Sequence, residues 1–241
     1  MKLVLLHARV LTLELLRYPA FLVPTLLFPA AFFAIFVPSG PADPATGMAT
    51  FAGFAAIGVA FFQFGVGIAV ERESAWEAYL RTLPVGPATR IGARLVSAAV
   101  FASATAAVVV GVALATTSPA LGAARWGELA ATLLVGTAPF ALLGIALGYW
   151  APQKGALPIA NVLYLGLSYA GGLWIPPSEL PRVVAALSPL LPTRSLADAL
   201  AASVSGHPFS PGPLARLAVF AVLFGVLALW GFRRDEGRHY R

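Results

Sequence analysis

Apolar stretches about as long as a lipid bilayer is thick recur along nearly all of this 241-residue chain. A bilayer core of about 30 Å is crossed by roughly 20 mostly apolar helical residues. The composition agrees, with 59% hydrophobic and 11% charged residues and a mean hydropathy of +0.83. A soluble domain usually carries about 25% charged residues. The pattern therefore predicts an all-α polytopic membrane protein, with room for six spans and no sizeable soluble domain. A formal charge of +6 and a pI near 10.2 read here as Lys and Arg flanking membrane helices rather than as a nucleic-acid surface. The chain has no cysteine, which excludes disulfides, thiol catalysis and thiolate metal sites.

Residues 1–18 read as an interfacial amphipathic helix, with Lys2, Arg9 and Arg17 on one broad face, His7 and Glu14 on another, and leucines over much of the rest. His7 and Arg9 interrupt the first apolar run too early for a signal peptide. The predicted spans are 19–37, 50–70, 91–116, 128–150, 157–174 and 213–232. Pro24 and Pro29 predict a kink in the first. Pro38–Ala49 reads as a turn-rich loop and Gln153-Lys154-Gly155 as a tight turn. An inner loop covers 71–90, with a short amphipathic helix over Glu71–Thr82 that stops before Leu83-Pro84-Val85-Gly86-Pro87. The segment 175–212 holds seven prolines. It predicts two short helices at or partway into the interface, capped by Ser178 and Thr193 and stopped at Gly206.

Orientation follows from Lys and Arg. With both termini inside, twelve of the 16 basic residues fall on inner segments and Arg125, Arg182, Arg194 and Arg216 on outer ones. That asymmetry favours six spans over five or seven.

Several chemistries lack their residues. His7, His207 and His239 all lie outside the predicted spans, and no His-Glu-x-x-His pattern occurs. Gly166-Leu167-Ser168 has no buried base for an intramembrane serine protease. No Asp, Glu, Lys or Arg occupies the middle of a span, where a charge would mark a proton relay. A sodium site built from backbone carbonyls stays open. There is no Gly-x-x-x-x-Gly-Lys-[Ser/Thr] loop, so any ATP used must be bound and hydrolysed by another chain.

Two groups of residues carry functional expectations. In the inner loop, Trp76, Tyr79, Leu80 and Leu83 recur every three to four residues and form one apolar stripe, with Glu73 and Glu77 beside it. The alternative is a solvated loop whose charges only enforce topology, its aromatics sitting at the interface. In the fifth span, Asn161, Tyr164 and Ser168 share a face at i, i+3 and i+7. In the second, Phe54, Phe61, Gln63 and Phe64 give a bulky aromatic surface with one amide. Ordinary helix packing is the alternative there, and it is the favoured reading of Gly144-x-x-x-Gly148.

Three motifs occur in order: Glu14-Leu15-Leu16-Arg17-Tyr18-Pro19; Glu71-Arg72-Glu73 through Val85; and Gly171-Gly172-Leu173-Trp174-Ile175-Pro176 followed by Ser188-Pro189-Leu190-Leu191-Pro192-Thr193. With the topology above they resemble the membrane subunits of type-2 ATP-binding-cassette (ABC) exporters over almost the whole chain. Ala75 stands where the family often has Gly, and Tyr18 where it often has Asp or Asn. The resemblance implies a dimer of two permease copies, or of one copy and a related partner, in a bacterial inner membrane. It implies a separate ATPase on the inner face, holding the ATP and Mg, with no cofactor on this chain. Glu71, Arg72, Glu73, Trp76, Glu77, Tyr79, Leu80 and Leu83 would then couple to that ATPase. The second and fifth spans would line a central path for an amphipathic or apolar cargo. The competing expectations are an autonomous secondary transporter or channel, and a membrane scaffold that transports nothing.

Overall fold

A computed structural model describes residues 2–17, 19–41, 43–74, 87–205 and 211–239. Every regular element among them is helical: α1 (Lys2–Leu16), α2 (Pro19–Phe36), α3 (Pro44–Glu71), α4 (Pro87–Thr116), α5 (Ala123–Trp150), α6 (Gln153–Ala170), α7 (Arg182–Leu187), α8 (Pro192–Val204) and α9 (Pro211–His239). Four of these segments are long and apolar enough to cross a membrane: Pro44–Glu71, Gly92–Thr116, Ala123–Trp150 and Pro211–Asp235. The 18-residue α2 and α6 are each about 27 Å long at 1.5 Å per residue, just short of a typical hydrocarbon core.

α3 is the central post, and 72% of its most apolar window is buried inside the chain. Its side chains Met48, Phe51, Phe54, Ile57, Val59 and Phe61 are essentially inaccessible. α2, α4, α5 and α6 all pack on it. The outer helices instead expose leucine and valine, as α9 does at Val219, Val222 and Val226. That arrangement suits hydrocarbon outside and close packing within. α1 lies against α4, where the Thr12 hydroxyl donates to Ser97 Oγ at 3.1 Å. Leu3, Leu5, Leu6 and Val10 stay exposed on its other side.

Local chemistry corrects several expected boundaries. Pro44–Ala49 is helix rather than loop. Asp43 accepts from the Thr46 amide at 3.0 Å, and Pro44 at the first helical position needs no hydrogen bond of its own. Gln153, Lys154 and Gly155 open α6 instead of forming a turn, because the chain is already extended at Pro152. At its far end α6 stops at Ala170, earlier than the apolar run predicts. Gly172 there adopts φ +80°, which reverses the chain toward Trp174. Ser178 and Thr193 are not caps. Pro181 and Leu191 hold the cap positions of α7 and α8 in extended geometry. The Thr193 hydroxyl instead donates to the Leu167 carbonyl at 2.6 Å. The expected stop at Gly206 lies outside the described residues.

α8 packs into the bundle. Leu196 and Leu200 are fully buried against α3, and a Cβ on Gly53 would come within 2.4 Å of Leu200 Cδ1. At this end Asp198 accepts from Arg194 Nε at 2.7 Å and from Arg216 Nη2 at 3.1 Å.

Candidate functional site

The predicted coupling segment begins where α3 ends. Glu71 closes the helix and the chain turns through Arg72–Ser74, with the Ser74 amide and hydroxyl both donating to the Glu71 carbonyl at 2.9 and 2.7 Å. The helix expected over Glu71–Thr82 therefore does not begin at Glu71. Trp76, Glu77, Tyr79, Leu80 and Leu83 lie outside the described residues.

Arg72 is no free handle at this turn. Its side chain is 12% exposed and points into the bundle. Nη1 donates to Asp235 Oδ1 at 2.9 Å and to the Tyr149 carbonyl at 3.2 Å, while Nη2 donates to the Ala151 carbonyl at 2.8 Å. Only guanidinium offers several donors in one rigid plane, so one side chain ties α3 to the ends of both α5 and α9. Glu71 pairs with Arg94 of α4. Glu73, half-exposed, stands 3.8 Å from Arg72.

The neighbouring contacts stiffen the same corner. Trp150 Nε1 donates to the Leu227 carbonyl at 3.1 Å, Arg234 lies 5.0 Å over the Trp150 ring, and Trp150 meets Trp230 edge-on at 4.8 Å. The turn after α3, the α5–α6 connection and the end of α9 were each assigned to the inner side by Lys and Arg alone. They meet here.

The predicted pathway residues do not form one cluster. Phe54 and Tyr164 stack with ring centroids 4.5 Å apart and planes 1° from parallel, and the Tyr164 hydroxyl donates to the Phe54 carbonyl at 3.2 Å. Gly58 makes room for that hydroxyl: a Cβ there would sit 2.8 Å from it. Phe61 lies 6.2 Å from the same ring. Phe64 turns toward α5 instead, against Gly144 and Gly148. Asn161 returns its amide to the Leu157 carbonyl of its own helix at 3.1 Å. Gln63 and Ser168 stand apart: their buried polar side-chain atoms find no hydrogen-bond partner among the described residues.

Gln63 sits within a π-helical run, Ala60–Val66, where the Gly67 amide reaches back five residues to the Phe62 carbonyl. Such widened turns inside α-helices recur at functional sites. Sequence periodicity gives no warning of it.

Trp174, named in the sequence only as part of a motif, was not among the predicted pathway residues. It is ringed by Phe32, Phe36, Phe54 and Tyr169 at 5.4 to 6.4 Å, and its Nε1 is buried without a partner among the described residues. Its place between two chain reversals, Gly171-Gly172 and Pro176-Pro177, was the available signal. Among the described residues no three His, Asp or Glu side chains converge as a metal site would need.

Tyr164 allows a direct check on packing. Tyr164→Phe keeps the stack and removes one hydrogen bond, for an expected loss of about 0.6 kcal/mol. Tyr164→Ala removes the ring from a filled site and should cost about 3–5 kcal/mol. Unfolding in mixed micelles separates the two, and equal losses would show that the hydroxyl rather than the ring holds α6 on α3.

No family model matches the chain. A protein of Bacillus subtilis (strain 168) named "Putative transport permease YvfS" is 24% identical over 230 residues, spanning 92% of this chain and 94% of the relative. The likeness thus runs through the helical bundle, the inner turn and α9 together, rather than through one motif. With the apolar helices it describes a multi-pass membrane protein. That likeness to a transport permease agrees with the resemblance to type-2 ABC permeases drawn from the sequence motifs.

Proposed function

We propose that this chain is the membrane subunit of an ABC-type exporter. It carries no ATPase site of its own and works with a separate ATPase subunit that binds ATP and Mg. In this reading α2 and α6 join the four longer helices as membrane spans. Six crossings place both termini in the cytoplasm of a bacterial cell, α1 lies at the inner interface, and a second permease copy completes the pathway.

The observation that carries the proposal is the junction around Arg72. The turn at the root of the 71–90 loop is bonded to α4, α5 and α9 at once. A push that reaches this turn is passed to most of the bundle through those bonds. That is what coupling to a detached motor requires. A loop serving only topology needs no such root.

In this reading α3 and α6 line the cargo path. Apart from Gln63, Asn161 and Ser168, the candidate side chains there are aromatic, which suits an amphipathic or apolar cargo. A buried amide with no protein partner is costly. Gln63 regains that cost when a cargo hydroxyl or carbonyl, or the second copy, meets it.

The docking half is tested with Glu73→Lys and Glu77→Lys combined with Trp76→Ala. Expected is loss of co-purification with the ATPase, with normal membrane insertion. Unchanged binding would move docking elsewhere. Flux in vesicles lacking both ATP and a second protein would favour an autonomous transporter instead.

A further inference from the structure

α4 and α5 are joined by only six residues, 117–122, and both pack on α3, yet they hardly touch each other. The gap between them is a groove of about 390 Å³, floored by Ala56, Ala60 and Phe64 of α3. Small side chains make up much of its walls: Ala98, Ala102 and Ala106 on α4, and Ala130, Ala138 and Ala141 on α5. Leu95 and Leu134, 44% and 64% exposed, stand at its rim.

We infer that this groove is a binding site for one acyl chain of a bilayer phospholipid. Both walls belong to helices long and apolar enough to cross a membrane, so the groove opens at hydrocarbon depth. No charged residue lines it. Of its two hydroxyls, that of Thr137 is already committed to the Leu133 carbonyl at 2.6 Å, so the lining offers little to a polar ligand.

Shape narrows the occupant further. From Leu95 to Ala106 the groove follows α4 for about 16 Å, long and thin like an extended alkyl chain. An α-helix is about 10 Å across with its side chains, much broader than an extended alkyl chain. A chain in the groove touches three helices at once, and it fills the space that separates α4 from α5. This site lies on the opposite flank of α3 from Tyr164 and does not depend on the exporter reading.

The test uses the full-length protein in nanodiscs doped with phosphatidylcholine bearing a diazirine along one acyl chain. After photolysis, adducts are mapped by peptide mass spectrometry. Adducts within 95–106 and 130–141 are expected to exceed, several-fold, those on the exposed face of α9 around Val219, Val222 and Val226. Ala102→Leu with Ala138→Leu should abolish that excess while the protein stays monodisperse. Equal labelling of both faces in the unsubstituted protein would overturn the assignment, and so would an excess that survives the filled groove. Ser103→Cys supplies the chain's only thiol. A disulfide between two copies through it would assign the groove to a helix and overturn the proposal equally.

Discussion

Arg72→Ala is expected to destabilise the protein by about 3 kcal/mol or more, since removing one partner of a buried ion pair typically costs about 3–5 kcal/mol. The loss has three parts: the bond to Asp235 and those to the Tyr149 and Ala151 carbonyls. Arg72→Lys keeps the charge but not the planar fork, so it should fall between the two. The comparison is Arg125→Ala, which breaks a pair whose side chains are 28% and 50% exposed and should cost under about 1 kcal/mol. Denaturant titration in mixed micelles measures all three. If Arg72→Ala costs no more than Arg125→Ala, the junction does not hold the inner ends of the helices together. In the exporter reading the same variant hydrolyses ATP with its partner yet exports poorly, because the loop has lost its root.

How much of this was written in the sequence depends on the kind of interaction. Hydrophobic length located the apolar helices, since it senses the exclusion of water and little else. Helix ends obey hydrogen bonding instead. That is why α3 begins at Asp43-Pro44, ahead of its apolar stretch, and why α6 ends at Gly171-Gly172 within its own. Charge counting grouped Arg72, the α5–α6 connection and Asp235 on one side. It could not show Arg72 turning inward, because a pairing across 163 residues of chain leaves no local trace. The Tyr164 face was legible as a helical stripe, and Phe54 as its aromatic counterpart. Their stacking was not legible, and neither was the π-helical run around Gln63. Both depend on the register between two helices, which no periodicity specifies.

Gly144→Val should cost about 3 kcal/mol, at the upper end of overpacking penalties. A Cβ on Gly144 would stand 2.3 Å from the Ala60 carbonyl oxygen, and one on Gly148 would stand 2.7 Å from that of Phe64. Both obstacles are backbone, so no side chain can swing aside. The pair lets α5 close directly on the π-helical run of α3, the close approach that small residues permit between membrane helices. Gly111→Ala is the matching control. Nothing lies within 4 Å of its new methyl group, and alanine favours the helix by up to about 1 kcal/mol. Thermal unfolding of the two variants should therefore move in opposite directions. A neutral Gly144→Val would mean that α5 does not approach α3 this closely.

The central claim is that the turn rooted by Arg72 faces the cytoplasm while the 175–212 segment faces out. The chain has no cysteine, so single thiols report this cleanly. Ser74→Cys and Ser205→Cys are treated separately, in intact cells, with a membrane-impermeant maleimide. The expected result is labelling through Ser205→Cys in whole cells, and through Ser74→Cys only after lysis. Labelling of Ser74→Cys from outside would invert the topology and remove the surface on which an ATPase could act.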